Sequence, residues 1–191
     1  MTADLAAWQA ELADRIQPTL EAAMLAAAGS RPDGEIAGIG ISTDADATSV
    51  VAFANSRQNL DAMVADEPEF ALDSKWHIGE WDLDVTGSGA PDPLEPLRAE
   101  LVQAKPSADG SPGTAGFAVP GMQEFRHAVW GAIAAAMAAS AAEGFFDRWP
   151  TAAHVFMPLD ADVDEQQLAD WSAPLNDAEG VAELRAFLQL D

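Results

Sequence analysis

The sequence predicts an α+β fold, a single domain over residues 1–191 in which several helices pack on a small, mainly antiparallel sheet. Two runs rich in β-branched residues surround a polar turn early in the chain, and helical patterns of period 3.6 lie on both sides of them. About half of the 191 residues are apolar (49%), which is enough for one sizeable core.

The first predicted helix starts at Thr2 or Asp4 and runs to about Ala28, with Gly29 as its stop. Pro18 is expected to kink or break it near Ile16, because proline cannot donate the helical hydrogen bond. The apolar residues recur at spacings of three and four, which predicts one buried stripe: Leu5, Trp8, Leu12, Ile16, Leu20 and Met24.

A β-hairpin follows, and the chain is organised around it. Its strands are predicted at Ile36–Ser42 and Thr48–Asn55, with a polar turn at 43–47. A helix is expected from about Arg57, with Ser56 as its N-cap.

The middle of the chain is more irregular. Pro68 should end the helix after the hairpin, and the segment 76–85 should form a short strand or an irregular stretch. A helix is predicted over Pro93–Lys105, followed by a flexible Pro/Gly-rich internal loop at 106–121. The residues of this helix that are expected to face inward are Leu94, Leu97, Leu101 and Val102.

The C-terminal third predicts a central buried helix from Met122 to about Glu143, a third strand at Ala153–Leu159 and a helix beginning at Asp177. Pro158 should mark the end of that strand or an edge position. Between the third strand and the helix beginning at Asp177, a short helix should carry Leu168 and Trp171. The long helix should bury Phe125, Val129, Ile133 and Met137.

The charge is extreme, with 32 acidic and 9 basic residues giving a net charge of −23. Phosphate backbones and anionic membranes both require basic residues, so the composition argues against nucleic acid and membrane partners. A basic protein partner, such as a toxin, would be steered towards this surface. The alternative is that the acidity serves solubility or salt tolerance without a dedicated partner.

The chain has no cysteine, which excludes disulfides and thiolate chemistry. The acidic N-terminal segment does not have the pattern of a signal peptide, and the alanine-rich run 128–142 is too short and too mildly apolar to span a bilayer. We therefore expect a cytoplasmic protein.

No motif predicts a metal or a cofactor. Asp160, Asp162 and Asp164 alternate as at the start of a calcium loop, but Glu165 and Trp171 stand where that loop needs glycine and a closing glutamate. Asp44 and Asp46 form a similar pair of alternating carboxylates in the hairpin turn, and this pair does not predict a metal site either. The glycines fit neither a dinucleotide fingerprint nor a phosphate-binding loop.

Catalytic signals are weak. No serine nucleophile elbow occurs, and the three histidines have no metal-ligand spacing. A small hydrolase using a histidine–carboxylate pair remains an alternative, with His77, His127 or His154 as the base.

The predicted partner-binding site consists of acidic residues from three segments with two tryptophans between them. Trp76 and Trp81 could contribute to an interface, or both rings could close one end of the core. The set is Asp44, Asp46, Trp76, Glu80, Trp81, Asp82, Asp84, Asp160, Asp162 and Asp164.

Four segments in this order resemble a bacterial protein family classed as a domain of unknown function (number 4303). They are IAGIGISTDADATSVVAFANS with a helix after it, the pair Glu80-Trp81 within WHIGEWDLDV, a long helix ending in EGFFDR, and AHVFMPLDADVDE with WSAPLN beyond it. The resemblance runs from about Glu35 to Asn176. The alanine-rich first helix and the 106–121 insertion depart from it.

The resemblance implies an α+β fold and carries over no catalytic residue. By analogy with small acidic bacterial proteins encoded beside secreted toxins, we expect a non-enzymatic immunity or antitoxin-like protein that neutralises a basic partner by occlusion.

Overall fold

The computed structural model describes residues 3–30, 34–85, 91–106 and 121–190. The predicted loop at 106–121 therefore lies almost entirely outside the described residues. The helices are α1 (Ala3–Gly29), α2 (Arg57–Asp66), α3 (Ala71–Trp76), α4 (Glu95–Ala104), α5 (Met122–Ala142), α6 (Glu165–Ser172) and α7 (Ala178–Phe187). The strands are β1 (Ile36–Thr43), β2 (Val50–Ser56), β3 (Leu83–Asp84) and β4 (Ala153–Pro158), and short 3-10 turns include Ile78–Glu80, Phe145–Arg148 and Ala173–Leu175.

The four strands form one mixed sheet in the order β3-β2-β1-β4. The hairpin pair β1–β2 and the pair β2–β3 are antiparallel, whereas β4 runs parallel to β1. A parallel neighbour needs a long crossover, and the helices between β2 and β4 supply it. The α+β class and a mostly antiparallel sheet are thus confirmed, and the parallel edge strand is the new feature.

One face of the sheet packs on the long helices. Ile39 and Ile41 of β1 belong to the same buried cluster as the apolar residues of α1 and α5. The helix predicted as central and buried is α5, and its four predicted core residues are all fully buried: Phe125, Val129, Ile133 and Met137.

The other face of the sheet is covered by a smaller cluster that includes Trp76, Trp81 and Leu184. Glycines in β1 make this close packing possible. A Cβ on Gly38 would lie 2.7 Å from Cζ2 of Trp81, and one on Gly40 would lie 2.2 Å from the carbonyl oxygen of Val155. The IAGIGI segment is therefore a strand shaped to receive an indole ring and a neighbouring backbone.

Two features of the helices differ from what the sequence predicts: α1 is not broken at Pro18, and Val102 does not face inward. Pro18 does not break α1, which runs without interruption to Gly29. Pro18 is exposed, so the helical carbonyl that loses its N–H partner can bind water, while the buried residues on both sides hold the helix on the core. Val102 was expected to face inward and is 62% exposed.

The outer edge of β4 is occupied by side chains. The amide of Asn176 exchanges two hydrogen bonds with the backbone of His154, and the hydroxyl of Ser172 does the same with Phe156. Pro158 lies two residues after Phe156 in β4, as Phe156 does after His154, and it has no backbone N–H to donate. The WSAPLN segment thus takes the place of a fifth strand, and β4 is the edge strand that Pro158 predicted.

Within the described ranges, no helix combines the length and the apolar character needed to cross a membrane.

Candidate functional site

A cleft of about 570 Å³ lies beside the β4 edge. Its lining comes from three parts of the chain: the end of α3, the segment from the end of α5 to the start of β4, and the segment from the Ala173–Leu175 turn into α7. The Asn176–His154 bonds fix the last two segments against each other, so the cleft is built by the same contacts that close the sheet edge.

His154 lines the cleft and is only 5% exposed. Its Nδ1 lies 2.9 Å from the carbonyl oxygen of Leu175. A carbonyl only accepts, so Nδ1 carries the proton and donates, and Nε2 of the neutral ring is left as an acceptor. Nε2 is shielded from solvent, and no donor among the described residues forms a hydrogen bond with it.

Burial lowers the pKa of His154 below its ordinary value of 6.5. The carbonyls of Leu175 and Trp149 and the carboxylate of Asp177 act in the opposite direction, since all three favour the charged ring, but burial outweighs them. His154 is therefore neutral at pH 7, in the tautomer that the Leu175 bond selects.

Aromatic rings contribute to the lining on either side of His154. The ring of Phe146 lies 4.6 Å from the imidazole ring, centroid to centroid. Trp76 is fully buried, its Nε1 donor makes no hydrogen bond, and Nζ of Lys75 lies 5.6 Å from its ring centroid. The lining therefore includes two aromatic residues, Phe146 and Trp76, and two residues with a buried polar atom that lacks a hydrogen bond among the described residues, His154 and Trp76.

Most of the charged side chains in the lining are acidic: Asp147, Asp177, Glu179 and Glu183. Lys75 is the one basic residue that the described part of the chain contributes to the lining, and its ammonium forms an ion pair with Glu183. Asp177 also accepts a hydrogen bond from the backbone N–H of Gly180 at 2.9 Å, which caps α7 and fixes the carboxylate at the cleft. The cleft is strongly negative.

The carboxylates predicted in the hairpin turn have structural roles. Asp44 accepts from the backbone N–H groups of Thr48 and Ser49 and so closes the turn. Asp46 binds Lys105 at 2.5 Å and Arg126 at 3.0 Å. The hydrogen bond from Lys105, followed by the one from Arg126, lowers the pKa of Asp46.

One of the predicted carboxylates around β3 also has a structural role. Asp82 accepts from the backbone N–H and the hydroxyl of Ser56, both at 2.8 Å, and so supports the N-cap of α2. Glu80 is exposed, and Asp84 is half-buried within β3.

The third acidic segment follows β4. Asp160 and Asp162 are exposed, whereas Asp164 caps α6 by accepting from Gln166 and Gln167. Among the described residues, no group of three or more histidine, aspartate or glutamate side chains could hold a metal ion.

Both tryptophans are buried, which agrees with the second of the two interpretations given for them, that their rings close part of the core. Trp76 is fully buried and Trp81 is 6% exposed, so both rings belong to the core behind the sheet, and neither presents an exposed surface for a partner. Trp76 also lines the cleft, and it is the one predicted partner-binding residue that does so.

The histidine–carboxylate alternative finds little support in the geometry. Nδ1 of His77 lies 3.8 Å from Glu80, but His77 is half-buried, Glu80 is exposed, and neither lines the cleft. His127 is exposed and packs edge-on against Trp130. His154 bonds to a backbone carbonyl rather than to a carboxylate.

Sequence reasoning missed the cleft because its residues are far apart in the chain and each is unremarkable alone. Asp147 and Phe146 lie in the EGFFDR segment and Asn176 in WSAPLN. Both segments were recognised as family features without a function. Asp177 was predicted only as the start of a helix.

Comparison with known proteins gives one match. No curated protein and no solved structure matches the chain. The model of one family matches residues 17–177, which include the whole sheet, the cleft up to Asp177 and the capping residues of β4. On this match, the chain belongs to the family described as Domain of unknown function (DUF4303).

Proposed function

We propose that this protein is a cytoplasmic, non-enzymatic binding protein of the immunity or antitoxin type, which neutralises a basic protein partner by occupying its surface. The observation that carries the proposal is the cleft, whose lining holds four carboxylates and a single lysine that is already paired with one of them. A cavity of this charge repels anions and attracts cations.

The overall charge supports the same proposal. With a net charge of −23, the molecule attracts a basic protein over a distance of about one Debye length, roughly 8 Å at physiological salt. Asp44, Asp46, Asp82 and Asp164 are engaged in turns, caps or ion pairs, so their contribution is a general negative field. Glu80, Asp160 and Asp162 are exposed and can meet the partner directly.

A comparison of tagged variants tests the proposal. The cleft variant carries Asp147→Asn and Glu179→Gln, and the control carries Asp14→Asn and Glu95→Gln, which remove the same charge from exposed positions on α1 and α4, outside the cleft. Each is used to retain proteins from the host at low salt, followed by a high-salt wash.

We expect the wild type and the control to retain the same basic protein at low salt and the cleft variant to lose it. The high-salt wash should release it from both, since salt screens charge attraction. Retention of no basic protein even at low salt, or equal retention by the cleft variant, contradicts the proposal.

A further inference from the structure

The proposed function leaves the bound group undefined. Three kinds of group are small enough for the cleft: an anion, an ammonium group and a guanidinium group. The four carboxylates exclude the first. The choice between the other two depends on the buried polar atoms and on the rings.

We propose that the cleft receives the guanidinium group of an arginine side chain presented by the protein partner, with Nε2 of His154 accepting one of its N–H groups and the wall carboxylates accepting others. This inference rests on the proposed function and names the group that the site binds.

His154 supplies the first part of the argument. The residue is only 5% exposed, and the Leu175 carbonyl fixes the proton on Nδ1. Nε2 is then an acceptor without a donor, which is unfavourable in a buried position. A ligand that supplies an N–H group would satisfy it.

The carboxylates supply the second part. Asp177 is held at the cleft by its bond to the N–H of Gly180, and Glu179 lies in the first turn of α7, two residues further along. Guanidinium offers five N–H donors in a rigid plane and can therefore serve an imidazole acceptor and carboxylates together. An ammonium group offers three donors at one point.

The rings supply the third part. Phe146 lines the cleft next to the imidazole ring, with 4.6 Å between centroids, and a guanidinium packs against aromatic rings better than an ammonium does. Nε2 is shielded from solvent, so the imidazole ring must rotate slightly or neighbouring lining residues must move when the ligand enters.

The experiment uses capped single residues as probes: N-acetyl-arginine amide, N-acetyl-lysine amide and N-acetyl-citrulline amide. Citrulline has nearly the shape of arginine but no charge. Binding is followed by the NMR signals of the His154 ring nitrogens and the Trp76 indole N–H. For a ligand of this size we expect a Kd of about 1 mM for the arginine probe, with the lysine and citrulline probes at least about tenfold weaker.

The arginine probe should shift Nε2 of His154 more than Nδ1, because only Nε2 gains a new bond. Glu179→Gln should weaken its binding several-fold, and the matched variant Glu95→Gln, in the first turn of α4, should leave it unchanged. His154→Phe keeps a ring but removes the acceptor, and it should weaken binding of the arginine probe several-fold. If that variant does not fold, the Glu179 comparison and the nitrogen shifts still decide.

Equal binding of citrulline and arginine, or an unmoved Nε2 signal, overturns the proposal. n-Butylguanidine, which has the same single charge as the arginine probe but no peptide amides, separates the two possible sources of the group. If n-butylguanidine binds much more tightly than the capped residue, the cleft serves a small molecule, and the assignment to a protein side chain is wrong.

The two proposals can fail separately. If the arginine probe binds as described but no basic protein is retained by the tagged protein, the proposed function fails and the guanidinium site stands. If a basic protein is retained through the cleft while the probes show no preference for arginine, the guanidinium assignment fails and the proposed function stands.

Discussion

The side-chain amide of Asn176 bonds to both backbone groups of His154. Its Oδ1 accepts from the His154 N–H at 3.0 Å, and its Nδ2 donates to the His154 carbonyl at 2.7 Å. A second hydrogen bond from Nδ2 reaches the carbonyl of Ser172 at 2.8 Å. One amide therefore imitates a neighbouring strand and also positions the histidine that lines the cleft.

Asn176→Ala should lower the free energy of unfolding by about 1–3 kcal/mol, because it leaves buried backbone groups of β4 without partners. Urea unfolding measures the change. The control is Gln58→Ala, which removes an amide from an exposed position on α2 and should have almost no effect. Equal stability of the Asn176 variant and the wild type would contradict the strand-like role.

Gly40→Ala should destabilise the protein by about 1–3 kcal/mol or more, because the new Cβ would lie 2.2 Å from the backbone oxygen of Val155 and would force β1 and β4 apart. Gly29→Ala is the control. It meets nothing within 4 Å at the end of α1, so we expect no loss of stability there. Thermal unfolding of both variants measures the difference, and similar melting temperatures would show that the close approach has no importance.

Acid should destabilise the protein through His154. Burial lowers the pKa of this histidine in the fold, so as the pH falls through 6.5 the unfolded chain takes up a proton that the folded chain does not. Unfolding is then favoured, and stability falls until the pH passes the lowered pKa of the folded state. Urea midpoints measured across this range provide the test.

The His154→Phe variant should lack this part of the pH dependence, whereas His127→Gln, at an exposed position, should retain it. Superimposable pH profiles for the wild type and His154→Phe would contradict the assignment of the effect to His154.

Salt should stabilise the folded state, because a net charge of −23 produces self-repulsion that salt screens. Melting temperatures in low and high sodium chloride measure this. A variant with glutamine in place of Glu67 and Glu69, both exposed, should melt higher than the wild type at low salt and gain less from added salt. A melting temperature independent of salt would show that repulsion between these charges is negligible.

The local patterns in the sequence were sufficient to predict much of the fold. Ser56 caps α2 as its hydroxyl chemistry predicts, accepting from the N–H of Asn59 at 3.1 Å. The spacing of Phe125, Val129, Ile133 and Met137 indicated the buried face of α5 because period and burial are coupled within one helix.

Long-range relationships could not be predicted in the same way. The parallel pairing of β4 with β1 depends on a crossover, and no local pattern in the sequence of either strand indicates it. Pro18 carries a real local penalty, but the packing of α1 outweighs it. The cleft unites residues of α3, β4 and α7, and no local pattern indicates that they meet.

The side chains that occupy the outer edge of β4 also limit how the protein can associate with other chains. Ser172 and Asn176 occupy the bonding positions at Phe156 and His154, and Pro158 offers no donor at the third. An extended segment of another chain therefore cannot join the sheet by β-augmentation there, which also protects this edge against amyloid-like stacking of identical copies. A partner that docks beside β4 has to be recognised through its side chains.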